Sequence, residues 1–245
     1  MLSKAKVKYI QSLGHKKLRD EKKVFMAEGP KVVEELLKTQ KFICRVLCAT
    51  QFWFDNFKYP ALQTIEDVCV VEEFELQKIS QLAASNGVLA IFTQNVGTEP
   101  ILTKKLSLVL DGIRDPGNMG TIIRIADWFS IDHIICSMDS VDCYNPKVVQ
   151  ASMGSIARVN IVYRDIHDFI ATNSHYNVYA ATLHGKNVFS MGKVQEGLVV
   201  IGNESTGIRT DILGMIKYEV SIPRLGNAES LNAAVACGII IASLR

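Results

Sequence analysis

The 245-residue sequence contains no pair of cysteines at C-x-x-C spacing, no internal repeat and no low-complexity run. Each absence removes a class of protein. Six scattered cysteines (Cys44, Cys48, Cys69, Cys136, Cys143 and Cys237) lack the close spacing of a zinc ribbon, and without a signal peptide they fit buried thiols in a reducing compartment, not a disulfide framework. The lysine-rich N-terminus has no apolar segment behind it. The apolar tract Ala233 to Leu244 is shorter than the ~20 residues a membrane helix requires, so it reads as a core helix. These features set the expectation of a cytoplasmic protein without a membrane partner. Net charge is only +2, too small for binding polyanions through bulk charge.

The distribution of charge says more than the total. Residues 1–24 hold Lys4, Lys6, Lys8, Lys16, Lys17, Arg19, Lys22 and Lys23 against Asp20 and Glu21, a local +6, which leaves −4 for the rest. A basic arm on a mildly acidic body suits a polyanionic partner, because Lys and Arg displace counterions from a phosphate backbone. The same residues also suit the solvated face of an amphipathic helix.

Apolar periodicity divides the chain into two α/β units. The first, 1–95, reads as a helix over 2–23 and a strand at 24–29. A helix at 30–39 follows, with Val32, Val33, Leu36 and Leu37 on one face, then a strand at 44–49, an aromatic patch at 52–57, a strand at 67–71, a helix at 73–82 and a strand at 87–92. Residues 96–104, with Gly97 and Pro100, read as a linker. The second unit, 105–245, starts with the strand Leu106–Leu110, enters a helix at Asn118 and returns to a strand at 133–136. This strand–helix–strand unit implies a parallel sheet. A helix at 147–155, a strand at 159–162, a helix at 165–172 and strands at 177–181 and 198–201 continue the alternation.

Three stretches of this unit carry candidate chemistry. In DPGNMGTIIR, Asp115 to Arg124, Gly117 and Gly120 allow a tight turn after a strand, Asn118 can cap the helix, and Arg124 leans toward the loop or pairs with Asp127 one turn on. In GNESTG, Gly202 to Gly207, two glycines flank Asn203 and Glu204 and let backbone approach a flat ligand. In SIPRLGNAESLNAAVA, Ser221 to Ala236, Ser230 is a natural N-cap for a helix whose Leu231, Ala234, Val235, Gly238 and Ile239 follow helical spacing. Capping by Ser230 leaves the polar Asn232 unexplained. A dinucleotide-binding oxidoreductase of the NAD type is a rival reading, since Gly112, Gly117 and Gly120 precede a helix and Asp139 follows the next strand. The spacing is not G-x-G-x-x-G, however, and no Walker lysine is present.

Taken together, N-x-G-x-x-x-R (Asn118, Gly120, Arg124), G-N-E-x-x-G (Gly202 to Gly207) and I-P-x-x-G-x-x-E-S-L-N (Ile222 to Asn232) resemble the SpoU family, also called TrmH, of RNA ribose 2′-O-methyltransferases in the SPOUT class. Residues 1–95, with FMAEGPKVVEELL at Phe25–Leu37, resemble the substrate-binding domain that many members carry. The resemblance implies a parallel-sheet methyltransferase domain with a C-terminal trefoil knot, an exception to unknotted topology. It also implies a homodimer and S-adenosylmethionine as the methyl donor. Carried over by position, the donor would be held by Thr182, Leu183, Gly185, Ile201, Gly202, Asn203, Glu204, Ile222, Leu231 and Asn232. The sulfonium methyl is already activated, so no metal is implied. Arg124 is the family's proposed base. A guanidinium keeps its proton, so Arg124 can instead bind the adjoining RNA phosphate while that phosphate or Glu204 takes the hydroxyl proton. Asn118, Glu204, Ser230 and Asn232 would orient ribose or phosphate. The implied substrate is structured RNA, ribosomal RNA ahead of transfer RNA; an RNA-binding module without catalysis is the remaining alternative. Arg224 and Leu225 depart from the small or methionine-containing turn common at that point in the family, which bears on the pocket rim and the choice of RNA.

Overall fold

The basic N-terminal segment contains Gly14, and the single helix read over 2–23 breaks there. In the computed structural model, which describes residues 1–57, 62 and 65–245, the segment forms α1 (Lys4–Ser12) and α2 (Lys16–Lys22). Arg19 accounts for the break. Its side chain is buried, and Nη1 donates to the carbonyls of Leu13 and Gly14 at 3.0 and 2.9 Å, taking acceptors that a continuous helix would have used.

The chain then runs through β1 (Val24–Glu28), α3 (Pro30–Thr39), β2 (Cys44–Ala49), α4 (Gln51–Asn56), β3 (Asp67–Val70), α5 (Glu73–Ile79) and β4 (Val88–Thr93). Pro30 opens α3, where its missing N–H is no loss, and Val32, Val33, Leu36 and Leu37 are buried. The four strands lie in the order β1-β4-β2-β3, with β4 antiparallel to β1 and β2, and β3 parallel to β2.

The remaining elements are β5 (Leu106–Asp111), α6 (Pro116–Trp128), β6 (His133–Ser137), α7 (Pro146–Ser152), β7 (Asn160–Arg164), α8 (Ile166–Thr172), β8 (Val178–Asn187), β9 (Gly197–Gly202), α9 (Thr210–Leu213), β10 (Tyr218–Ser221) and α10 (Ala233–Leu244). The helix read over 147–155 is the shorter α7. It stops where Met153 and Gly154 take φ of 52° and 91°.

The chain forms two compact units. One comprises Met1–Asn95 with Tyr144–Ala157, the other Val96–Cys143 with Arg158–Arg245. In the first, Tyr144 stacks on Phe25 with ring centroids 4.7 Å apart. The second holds a six-stranded sheet in the order β10-β8-β9-β5-β6-β7, every neighbouring pair parallel. All six residues of β5 are buried, as expected of a strand covered on both faces. Counted from β5 as the first strand, the order is 3-2-1-5-4-6, whereas the dinucleotide fold is 3-2-1-4-5-6. The exchange puts β9 directly beside β5, where the dinucleotide order would place β8. Among the described residues no helix is long and apolar enough to cross a membrane.

Candidate active site

Open parallel sheets bind ligands beyond the carboxyl ends of their strands, at the point where strand order reverses. Here that point lies between β5 and β9, and both strands end in the motifs singled out above. Helix α6 starts at Pro116, two residues before Asn118, because Asp115 is its cap: Asp115 Oδ1 accepts from the Asn118 N–H at 2.7 Å. Asn118 is therefore not the capping residue. Its nearly buried carboxamide is free for other partners, donating from Nδ2 to Glu204 Oε1 at 2.6 Å and accepting at Oδ1 from Asn232 Nδ2 at 2.8 Å.

Asn232 anchors the other end of this chain. It is the cap of α10, and its Oδ1 accepts from the N–H groups of Ala234 and Val235 at 3.0 and 3.2 Å. Ser230, read as that cap, is exposed and makes no hydrogen bond among the described residues. With the cap at Asn232, α10 buries Ala233, Ala234, Cys237, Ile240, Ile241 and Leu244, while Val235, read as inward-facing, is exposed. The cap also fixes the polarity of the network. Since Asn232 Oδ1 must accept from the helix, Nδ2 must donate to Asn118, whose own Nδ2 then donates to Glu204. Glu204 receives a hydrogen bond here, and its Oε2 has no partner among the described residues.

Arg124 stands on the exposed side of α6 and makes no hydrogen bond or ion pair among the described residues. Asp127, the intrahelical partner its position offered, is instead held by Arg158, through Nε at 3.0 Å to both oxygens and Nη2 at 2.8 Å. The motif thus presents an unpaired guanidinium to solvent, beyond the Asn118–Glu204–Asn232 chain.

The residues expected around the methyl donor lie within β8, at and just after the end of β9, just after β10 and just before α10. Strand β8 pairs with β10 at Tyr179 and Ala180 and again at Lys186 and Asn187, so Ala181–Gly185 bulge out of that ladder. Thr182 Oγ1 in the bulge donates to Glu219 Oε2 at 2.9 Å, and Leu183 is exposed. A Cβ on Gly185 would stand 2.5 Å from Glu219 C and Val220 N. Ile201 is buried near the end of β9, and a Cβ on Gly202 would fall on the backbone of Gly207 and Ile208. These two glycines are thus already required by close approach within the chain itself. Asn203 shapes the loop by pairing with Gly207 in both directions at 3.0 Å and donating from Nδ2 to the Gly112 carbonyl at 2.7 Å. Ile222 is half-buried after β10, and Leu231 is exposed.

Sequence reasoning missed two pairs. Asp111, buried at the end of β5, accepts at Oδ2 from the Arg209 N–H and at Oδ1 from Arg209 Nε, both at 2.8 Å. This ties the Gly202–Arg209 loop to β5. Arg114 pairs with Asp139 at 3.2 Å, and hydrogen bonds from Ser137 and then Arg114 hold the Asp139 carboxyl below the usual carboxylate range. A signal for the first pair was present: an acid that closes an otherwise apolar strand needs a cation or N–H partner.

The chain is similar to known proteins over nearly its whole length. The MRM3-like substrate binding domain matches residues 4–90. A 23S rRNA (guanosine(2553)-2′-O)-methyltransferase from Bacillus subtilis is 27% identical over 98% of this chain and 96% of its own. A TrmH-family protein from Porphyromonas gingivalis superposes with a TM-score of 0.89 at 35% identity, covering 100% of this chain and 98% of that one. An AdoMet-bound rRNA methyltransferase from Sinorhizobium meliloti does so at 0.85 and 28% identity, over 100% and 96%. The sequence model of the SpoU rRNA Methylase family matches residues 105–242, more than half of the chain, and the chain belongs to that family.

Proposed function

We propose that this protein transfers the methyl group of S-adenosylmethionine to a ribose 2′-OH of ribosomal RNA. The observation that carries the reading is the chain Glu204–Asn118–Asn232, which joins one side chain from each of the three motifs at the strand ends. The neighbouring loops fit the methyl donor. The Ala181–Gly185 bulge offers backbone outside the β10 ladder, and the exposed Leu183, Leu225 and Leu231 offer apolar surface for an adenine ring. S-adenosylmethionine would supply an activated sulfonium methyl for the ribose oxygen.

The chain's own residues supply position and proton traffic. Asn118 fixes Glu204, whose open Oε2 accepts the proton leaving the 2′-OH. Arg124, unpaired and exposed, holds the phosphate next to the reacting ribose, as expected of a guanidinium that matches phosphate oxygens. Ser230 and Asn232 border the ribose, and the residues gathered from Thr182 to Asn232 hold the donor. Residues 1–95 dock the RNA through the basic α1–α2 arm. The C-terminal trefoil knot and action in the cytoplasm, where ribosomal RNA is met, belong to the same reading.

A second copy of the chain completes the enzyme in this proposal. Trp128 at the end of α6 and Val235 on α10 are exposed, and the two helices pack on each other where Gly238 meets Ile125. Sedimentation is expected to give a dimer at micromolar concentration; a monomer would remove this part of the proposal. The principal test is methyl transfer from labelled S-adenosylmethionine to RNA. Arg124→Ala is expected to lower the rate about 10²–10³-fold or more while binding S-adenosylhomocysteine nearly as the wild type does. Full activity in that variant would refute the assignment.

A further inference from the structure

We infer that the depression beyond the carboxyl ends of β5, β6 and β9 takes the base of the methylated nucleotide, and that Arg114 and Asp139 select guanine there. The inference rests on the methyltransferase reading above. The depression is open to solvent, and its walls come from the two loops that also lead to Asn118 and Glu204, together with Asp139 after β6. Gly112 and Arg114 precede the cap of α6; Asn203 adjoins Glu204, and Thr206, Gly207 and Arg209 follow it. Gly112 and Gly207, with φ of 70° and 69°, put bare backbone at its lining, and space above Gly207 is open. A planar ring can therefore lie close to the backbone.

Two arginines and two aspartates line the depression, so it offers a phosphate little net attraction. Its polar groups are arranged for an edge instead. Asp111 is spent, because Arg209 occupies both its oxygens. Asp139 is not. Its side chain is 46% exposed, and the hydrogen bonds from Ser137 and Arg114 keep it ionised and hence an acceptor only. The Arg114 side chain is 72% exposed and spends Nη2 on Asp139, leaving other N–H groups for a ligand. Side by side, the pair shows a donor next to two acceptor oxygens.

The Watson–Crick edge of guanine is the complement of that pattern. Its O6 faces the guanidinium while N1–H and the N2 amino group both donate to the carboxylate. Uracil, cytosine and adenine each offer the carboxylate at most one donor along that edge. A carboxylate that accepts from two N–H groups of guanine binds a base offering one donor more weakly.

Total RNA from cells lacking this gene, incubated with the full-length protein and methyl-labelled S-adenosylmethionine and digested to nucleosides, reads the base directly by mass spectrometry. The label is expected in 2′-O-methylguanosine. Label in another 2′-O-methylnucleoside overturns the guanine assignment and leaves the methyltransferase reading standing. Absence of label from every nucleoside overturns that reading, and the base assignment falls with it. Asp139→Asn, which turns an acceptor into a donor, is expected to lower kcat/KM for RNA at least about 10-fold, and Arg114→Gln by less, with S-adenosylhomocysteine affinity within about twofold of wild type in both. Unchanged kcat/KM in both variants overturns the role of this pair.

Discussion

Strand β1 ends at Glu28, and Gly29 follows it into a helix opened by Pro30; β5 ends at Asp111, and Gly112 follows it toward a helix opened by Pro116. The local parts match. Both acids are buried, both glycines have positive φ (81° and 70°), and each acid accepts hydrogen bonds from a distant loop. Glu28 takes the Ser80 hydroxyl and the Gln81 N–H, while Asp111 takes two donors of Arg209. The outcomes differ because of what each loop carries. The loop at 80–81 brings no reactive group to Glu28, whereas the loop fixed by Asp111 carries Glu204 to Asn118 and, through it, to Asn232. An acid–glycine strand end is thus a way of fastening a loop. It becomes part of a site only where the fastened loop has chemistry to offer.

The comparison breaks if the two ends respond alike to substitution. The largest effect is expected for Asn118→Ala, which removes both bonds of the polar chain and should lower kcat/KM about 10²–10³-fold; Glu28→Gln should leave it within about twofold of wild type. Next comes Gly202→Ala, whose Cβ would meet the Gly207 and Ile208 backbone. Chemical denaturation should show a loss of roughly 3 kcal/mol, with weakened S-adenosylhomocysteine binding. Arg209→Ala leaves the Asp111 carboxylate buried with one N–H donor. Because the guanidinium is half exposed, the loss should be roughly 2 kcal/mol, below the ~3–5 of a fully buried pair.

The smallest effect concerns pH. Burial raises the Glu28 pKa against the hydrogen bonds from Ser80 and Gln81. Its contribution to stability is therefore complete below the unfolded carboxyl pKa of ~4.3 and is lost as pH rises through the higher folded value. Glu28→Gln should flatten the pH dependence of unfolding above that point. An unchanged pH profile would show that Glu28 ionises in the fold as freely as in the unfolded chain.

The alternation of strands and helices was legible because the buried strands of the second unit are continuous apolar runs, and α3 keeps its four apolar positions on one face. The caps were not. Ser230 and Asn232 are both good N-cap residues two positions apart, and so are Asp115 and Asn118 at three. Local preference cannot choose between them. The choice at α10 is linked to a hydrogen bond between Asn232 and Asn118, 114 residues apart in the chain. The Asp111–Arg209 pair, 98 residues apart, was invisible for the same reason. Arg124 was legible in position but not in state, since only the fold shows Arg158 taking the Asp127 carboxylate.

The central claim is that the three motifs act as one polar unit in methyl transfer, and a double-mutant cycle tests it most directly. Single-turnover kcat/KM would be measured for wild type, Asn118→Ala, Glu204→Gln and the double variant, with S-adenosylhomocysteine affinity as the check on folding. The account predicts that the double variant is no slower than the worse single one, because removing either member already disables the unit. Independent, additive losses, or an Asn118→Ala enzyme as fast as wild type, would contradict it.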